Sequence, residues 1–385
     1  MLKIAHIATD EKFIECAVEI FESAYPQQNT FYIGSPKPWR YIKDKPIYKP
    51  LSKVRWLEIL ITKRSILKKY DIIVFHGLPT MWLIPMVLLK HRYVWLGWGY
   101  DYYSRSFDSG LLEGSLILPN TAVKENSHIK YKATSKSFSR NIANKIVGSK
   151  YFFKLAMRHL NVFSPVLPEE FQLVKMKYGL GKHTQYSPWN YGILEKHLAK
   201  DISSKDISSA NSILLGNSAT STNNHFDALN SILDMNTTRT IYVPLSYGDM
   251  NYAKSVKDYI FNNPRLSSQC KVLDKFMPLN EYNSILNNCG FVIMNHVRQQ
   301  AVANIVAMMY RGSKVFLREE SILYKFFKGL GAHVYSVQEL ELDSTLLETH
   351  LSNYQIEENK KILQKNWSED VIVQRTKNLV EKALH

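Results

Sequence analysis

Ser212-Ile213-Leu214-Leu215-Gly216-Asn217-Ser218-Ala219-Thr220-Ser221-Thr222-Asn223-Asn224-His225 is an apolar run that breaks into glycine, amides and hydroxyls, then enters a helical pattern. A short apolar run without polar alternation fits a strand buried on both faces, as in parallel sheets. The helical pattern after it covers 223–233, with Thr222 or Asn223 placed to cap it. The same alternation repeats downstream. Strands are predicted over 239–243, 271–273, 290–294, 314–317 and 333–337, with helices over 251–262, 279–288, 301–310 and 322–329. Strands joined through helices imply right-handed crossovers and a parallel sheet.

Upstream a second series is legible. Strands are predicted over 2–8, 29–35, 71–75, 92–99, 145–148 and 161–165, and helices over 10–24, with Asp10 as N-cap, and 51–69. Pro79 opens another helix. The stretch 180–211, with Gly181, Pro188, Gly192 and a polar run over 201–211, reads as loop-rich. The chain is accordingly divided into an N-terminal domain over 1–195, a linker over 196–210 and a C-terminal domain over 211–366. A last helix over 367–385 is expected to pack back toward the N-terminal domain. Two doubly wound α/β domains in series are expected to face a central cleft. Ligands settle outside the carboxyl ends of the strands in such folds, so functional residues are sought just after strands.

Length and composition agree with this plan. The chain has 385 residues, 45% hydrophobic and 22% charged, which suits two ordinary cores. No run approaches the roughly twenty apolar residues of a spanning helix. The longest, 81–89, contains Pro85 and ends at Lys90-His91-Arg92. The start, Met1-Leu2-Lys3-Ile4-Ala5-His6-Ile7, reads as a strand and not as a secretion signal. Cys16, Cys270 and Cys289 have no metal-ligand spacing and read as free thiols of a reducing compartment, so the cytoplasm is the expected location. Of the +15 net charge, residues 1–190 carry 28 Lys and Arg against 14 Asp and Glu, a surplus of 14. The span 120–160 holds nine basic residues (Lys124, Lys130, Lys132, Lys136, Arg140, Lys145, Lys150, Lys154 and Arg158) against Glu125 alone. Without any nucleic-acid-binding signature, this charge is assigned to an anionic membrane surface and not to nucleic acid.

Four constellations follow strands. Gly216-Asn217-Ser218-Ala219-Thr220-Ser221-Thr222 offers backbone N–H groups and hydroxyls to an anion at a helix start. It lacks the dinucleotide glycine fingerprint and a Gly-Lys-Ser/Thr, which disfavours oxidoreductases and P-loop enzymes. Asn295-His296-Val297-Arg298-Gln299-Gln300 closes one strand and opens the next helix. The Arg298 guanidinium suits a diphosphate, and Gln299 and Gln300 suit phosphate or sugar hydroxyls. In the first half, His76-Gly77 and Trp98-Gly99-Tyr100-Asp101-Tyr102-Tyr103 each end a strand. The Asp101 carboxylate beside aromatic rings is a candidate base, with His76 in reserve, while the rings suit sugar faces. Phe276-Met277, after another strand, is a candidate nucleobase contact.

At these residues the chain resembles the family 56 glycosyltransferases. The resemblance rests on Phe75-His76-Gly77, Trp98-Gly99 with Asp101 and Tyr103, Gly216-Asn217-Ser218 with Asn223 and His225, Val243-Pro244 with Tyr247, Tyr282, and Arg298-Gln299-Gln300. These occur in family order over roughly 70–330. The resemblance implies a GT-B fold, with acceptor on the N-terminal domain at His76, Gly77, Trp98, Asp101 and Tyr103. It implies a nucleotide-sugar on the C-terminal domain at Gly216, Asn217, Ser218, Asn223, His225, Pro244, Tyr247, Arg298, Gln299 and Gln300; Thr220 and Thr222, hydroxyls of the same loop, and Phe276 and Met277, by position after a strand alone, complete the candidate donor residues. The implied acceptor is a polyprenyl-diphosphate-linked saccharide, in a pathway to O-antigen or another surface polysaccharide. Transfer is expected to need no metal or other cofactor, with Arg298 on the leaving diphosphate. A GT-B-like nucleotide-sugar epimerase and a non-catalytic basic membrane- or nucleic-acid-binding module are the rival readings.

Overall fold

The computed structural model describes residues 1–43, 45–51, 58, 66–103, 111, 116–129, 150–200 and 207–385. Two compact units divide the chain. The first comprises the described residues of Met1–Glu113 and Thr134–Ile193, together with Trp367–His385; the second comprises those of Gly114–Ala133 together with Leu194–Asn366. Residues 116–129, placed in the N-terminal domain by sequence, thus belong with the second unit.

The first unit is built on β1 (Ile4–Ala8), β2 (Asn29–Ile33), β3 (Tyr48–Pro50), β4 (Ile72–His76), β5 (Arg92–Leu96), β6 (Leu160–Ser164) and β7 (Gln185–Tyr186). They form one parallel sheet in the order β3-β2-β1-β4-β5-β6-β7. β1 and β4 are buried at every position, as central strands covered on both faces must be. Helix Glu369–Leu384 packs on helix Ile14–Ala24 and beside β4, β5 and β6. Polar links fix it: Trp189 Nε1–H donates to Thr376 Oγ1 at 2.8 Å, and Arg375 Nη1 donates to Asn190 Oδ1 at 3.0 Å.

The second unit carries β8 (Ser212–Leu215), β9 (Ile241–Pro244), β10 (Cys270–Leu273), β11 (Cys289–Met294), β12 (Lys314–Leu317) and β13 (Tyr335–Ser336) in a parallel sheet ordered β10-β9-β8-β11-β12-β13. Local chemistry sets the helices between them. Asp249 accepts from Asn251 N–H and Tyr252 N–H to cap helix Met250–Phe261, and Ser321 caps Ile322–Gly329. Gly312, at φ 102°, ends helix Val302–Arg311 in the left-handed conformation that favours glycine. In both sheets the strand order reverses beside the first strand, at β1/β4 and at β8/β11. Those junctions are the ligand positions of a doubly wound sheet.

Several expectations change. Asp10 does not cap the first helix, which starts at Ile14 after Phe13; its carboxylate accepts from the N–H groups of Arg40, Tyr41 and Ile42. Neither Thr222 nor Asn223 caps helix His225–Asp234. Asn224, at φ 52°, occupies that position without a side-chain cap. The helix expected over 51–69 lies mostly, and the strand over 145–148 entirely, outside the described residues. The basic stretch is split between the units. Lys124, over the Tyr259 ring, belongs to the second, Lys150, Lys154 and Arg158 belong to the first, and the other five lie outside the described residues. Among the described residues no helix is long and apolar enough to cross a membrane.

Candidate active site

In the second unit the loops after β8 and β11 meet at the order reversal and are cross-linked by polar side chains. Gln300 Nε2–H donates to Asn217 Oδ1 at 2.9 Å and Thr220 Oγ1 at 3.0 Å, while its Oε1 accepts from Thr222 Oγ1–H at 2.7 Å. Asn217 Nδ2–H donates onward to Tyr247 Oη at 3.0 Å, tying in the loop after β9. Asn223 holds the first loop from within. Its Oδ1 accepts from Asn217 N–H at 3.0 Å, and its Nδ2 donates to Ser218 O and Thr220 Oγ1, each at 2.8 Å. Gly216 has φ 68°, and a Cβ there would lie 2.9 Å from both Asn223 Oδ1 and His225 Nε2. The strand therefore turns at a glycine because nothing larger fits over this network.

Two buried histidines stand behind the loops. His296 Nε2–H donates to Asn223 Oδ1 at 2.8 Å, and His225 Nδ1 pairs with Tyr252 Oη at 3.1 Å. Burial lowers both to about 3, with the neighbouring Arg298 adding to the effect at His296, so both rings are neutral. His225 Nε2, His296 Nδ1 and Gln299 Oε1 are buried without a hydrogen-bond partner. Their clustering around these loops marks a spot where polar partners are missing from the protein itself.

Arg298 is half-buried, and its Nη1 donates to Gln299 O at 3.0 Å. Ala301, at φ 62°, precedes helix Val302–Arg311 and supplies no capping side chain. The first N–H groups of this helix and the Arg298 guanidinium thus form a positive end suited to phosphate. Pro244 is buried at the end of β9, and His225 and Asn223 are wholly buried supports. Phe276, 71% exposed, and Met277 follow β10, two strands from the junction. The structure brings the other predicted donor residues together and leaves this pair at the sheet edge.

In the first unit the predicted residues separate into surface and support. Asp101 is buried and its carboxylate is occupied: Oδ2 accepts from Leu78 N–H at 3.0 Å and Trp95 Nε1–H at 2.7 Å, and Oδ1 accepts from Trp98 N–H at 2.9 Å. It clamps the loop after β4 to the loop after β5, and carboxylate oxygens so engaged are poor proton acceptors. Gly77, at φ 70°, passes beneath Tyr100 and Asp101. Tyr103 lies wholly in the core and offers no face to a sugar, because the short helix Tyr100–Tyr103 turns it inward. Trp98 is half-buried, and Tyr100 is 51% exposed.

His76 ends β4 inside a polar chain that sequence reasoning missed. Its Nδ1 pairs with Tyr191 Oη at 2.8 Å and its Nε2 with His6 Nδ1 at 3.0 Å; His6 Nε2 pairs with Asn29 Oδ1 at 3.1 Å. Trp98 Nε1–H donates to Tyr191 Oη. Around Tyr191 stand Phe13, Trp98 and Trp189, with ring centroids at 6.2, 5.5 and 4.7 Å. The available signal was His6, the one polar side chain of Ile4-Ala5-His6-Ile7-Ala8. Tyr191 gave none, since it lies in the stretch read as loop and linker.

Residues 189–347 match the model of the family described as 4-alpha-L-fucosyltransferase, glycosyl transferase group 56. The match agrees with the resemblance carried by the motifs, and the chain is a glycosyltransferase. No curated protein matches it. Over nearly its whole length the chain is similar to solved structures. Against Anabaena HepE in complex with UDP-glucose the TM-score is 0.64 at 12% identity, covering 99% of this chain and 100% of that one. A glycosyltransferase from Rickettsia africae gives 0.64 at 11%, covering 100% and 98%. Sucrose-phosphate synthase from Thermosynechococcus elongatus gives 0.61 at 9%, covering 99% and 98%. These likenesses show the fold, which is GT-B.

Proposed function

Taking residues 189–347 as a group 56 glycosyltransferase segment, we propose that the chain transfers an amino- or deoxy-sugar from a dTDP- or UDP-activated donor. The proposed acceptor is a polyprenyl-diphosphate-linked saccharide, in synthesis of an O-antigen or enterobacterial-common-antigen-like surface polysaccharide. The observation that carries this reading is the β8/β11 junction. Hydroxyls and amides from two loops, the Arg298 guanidinium and an uncapped helix start converge there beside buried polar atoms that lack partners. Similar structures solved in complex with UDP or UDP-glucose support a nucleotide-sugar donor.

Arg298, the Asn217–Thr222 loop and the start of helix Val302–Arg311 stabilise the charge that grows on the departing diphosphate, without a metal. Preorganised electrostatics of this kind is usually the largest catalytic contribution. Trp98, Tyr100 and Phe13 supply ring faces to the acceptor saccharide. The basic first half holds the protein reversibly on the inner membrane face, each Lys or Arg contributing about 1 kcal/mol there. Nucleic acid is not a partner in this reading.

The test combines a thermal-shift screen of nucleoside diphosphates with transfer of labelled sugar to lipid-linked acceptor. dTDP or UDP is expected to raise the melting temperature, by mass action equivalent to about 2.7 kcal/mol at 100 times Kd. Arg298→Ala is expected to lower kcat by about 100-fold or more. A folded Arg298→Ala protein with near-normal turnover removes Arg298 from this role. Conversion of the donor with no label reaching lipid makes the enzyme an epimerase instead.

A further inference from the structure

The chain of polar contacts behind His76 fixes the direction of every proton in it. Asn29 Nδ2 donates to Glu22 Oε1 at 2.6 Å and Tyr25 O at 2.7 Å, so its Oδ1 is the atom turned to His6. An amide oxygen only accepts, so His6 Nε2 carries the proton. Burial lowers His6 to about 3 and His76 well below its usual value, so both rings are neutral with one lone pair each. His6 Nδ1 is then an acceptor, His76 Nε2–H donates to it, and His76 Nδ1 accepts from Tyr191 O–H. Trp98 Nε1–H donates to the Tyr191 oxygen and takes one of its two lone pairs. Among the described residues the second has no partner. Tyr191 is half-buried among Phe13, Trp98 and Trp189, and burial holds its hydroxyl protonated by raising its pKa well above the usual tyrosine value.

We propose that Tyr191 receives the proton of the attacking acceptor hydroxyl and passes its own inward to His76, with His6, Asn29 and Glu22 as positioning residues. This rests on the glycosyltransferase reading above. The acceptor oxygen bonds to C1 of the donor sugar, and the C1–O bond to the diphosphate breaks, its electron pair leaving with the phosphate. The hydroxyl proton moves to Tyr191 Oη as the Tyr191 proton moves to His76 Nδ1. His76 Nε2–H stays on His6 throughout. The relay resets when the extra proton returns through Tyr191 to solvent. A weak resting base serves here because the hydroxyl becomes strongly acidic only as its oxygen bonds C1, and an unprotonated ring keeps its lone pair ready. Trp189 and Asn190, held by Thr376 and Arg375, keep Tyr191 in place.

Tyr191→Phe keeps the ring and removes only the hydroxyl. Donor-diphosphate stabilisation is measured first on wild type and variant, then transfer kinetics. The expected result is unchanged stabilisation, a fall in kcat of about 100-fold, and an acceptor KM within about threefold of wild type. Turnover within about threefold of wild type, or a change confined to KM, overturns the relay. So does a product that retains the configuration at C1, since such transfer needs no base on this side. If no nucleoside diphosphate stabilises either protein, the functional reading itself fails, and the relay fails with it. Nitrogen-15 imidazole spectra of the wild type give a check independent of turnover. Protons on Nε2 of both His6 and His76 support the assignment, and a proton on His76 Nδ1 overturns it.

Discussion

At the scale of single residues, Asp101 shows how one carboxylate can be legible as important and still be misread in role. Its position after a strand and among rings made it a candidate base, but three N–H groups of its own frame consume its oxygens. An asparagine there has one acceptor oxygen and must turn an NH₂ toward at least one of those donors. Asp101→Asn is expected to cost about 3 kcal/mol of stability, the loss of charge-assisted bonds plus an unsatisfied buried donor. Below its lowered melting temperature it should keep turnover within about tenfold of wild type, unlike Tyr191→Phe. Urea unfolding alongside initial rates decides this. Unchanged stability would refute the clamp, and a large kcat loss in a stable variant would return Asp101 to catalysis. His6, Asn29 and Tyr191 lie well apart in sequence, at 6, 29 and 191, and only the packed sheet joins them. No local pattern encodes such a chain.

At the scale of elements, helix Pro168–Tyr178 carries a titratable joint. Glu170, fully buried, accepts from Leu167 N–H at 2.8 Å, reaching back to the residue before the helix, and from Tyr102 O–H at 2.7 Å. Burial raises its carboxyl from the usual 4.5 to about 7, against the lowering effect of these bonds. The folded chain thus keeps this proton where the unfolded chain has lost it. Its contribution is complete below about pH 4.5 and is lost as pH rises through about 7, a total of about 3 kcal/mol. Glu170→Gln should remove that fall between pH 5 and 8 in denaturant titrations, and an unchanged slope would refute it. The helix itself went unread, although Pro168 at its start, Glu170 in its first turn and Gly179 at its end are ordinary signals. Its buried apolar residues Phe171, Val174 and Tyr178 are blurred by Leu173 and the exposed Met176 on other faces. Where elements were legible, as in β1, β4, β8 and β11, an unbroken apolar run reported burial on both faces. Boundaries set by distant partners, such as the start of the first helix, were not. Asp10 leaves that helix for the N–H groups of residues 40–42.

At the scale of the whole molecule, both order reversals are built over pairs of neutral buried histidines, and acid acts on the two units unequally. His225 and His296 in the second unit titrate near 3 when folded and near 6.5 when unfolded. A depressed histidine contributes fully above about 6.5 and loses that contribution as pH falls toward 3, because the unfolded chain binds the proton first. At pH 5 each has given up about 2 kcal/mol, so the second unit loses about 4 kcal/mol from this pair. The depressed carboxyls of Asp274 and Glu320 act in the same direction at lower pH. In the first unit His6 and His76 lose contributions likewise, but Glu170 gains about 2 kcal/mol between pH 7 and 5, because its folded proton is then favoured. For two units of equal stability at neutral pH, that difference of about 2 kcal/mol sets the order of events. The second unit is expected to open first on acidification. Amide exchange at pH 5 should show protection lost in β8 and β11 while β1 and β4 remain protected. Protection in β8 and β11 that falls no further between pH 7 and pH 5 than that in β1 and β4 would refute the neutral state of His225 and His296.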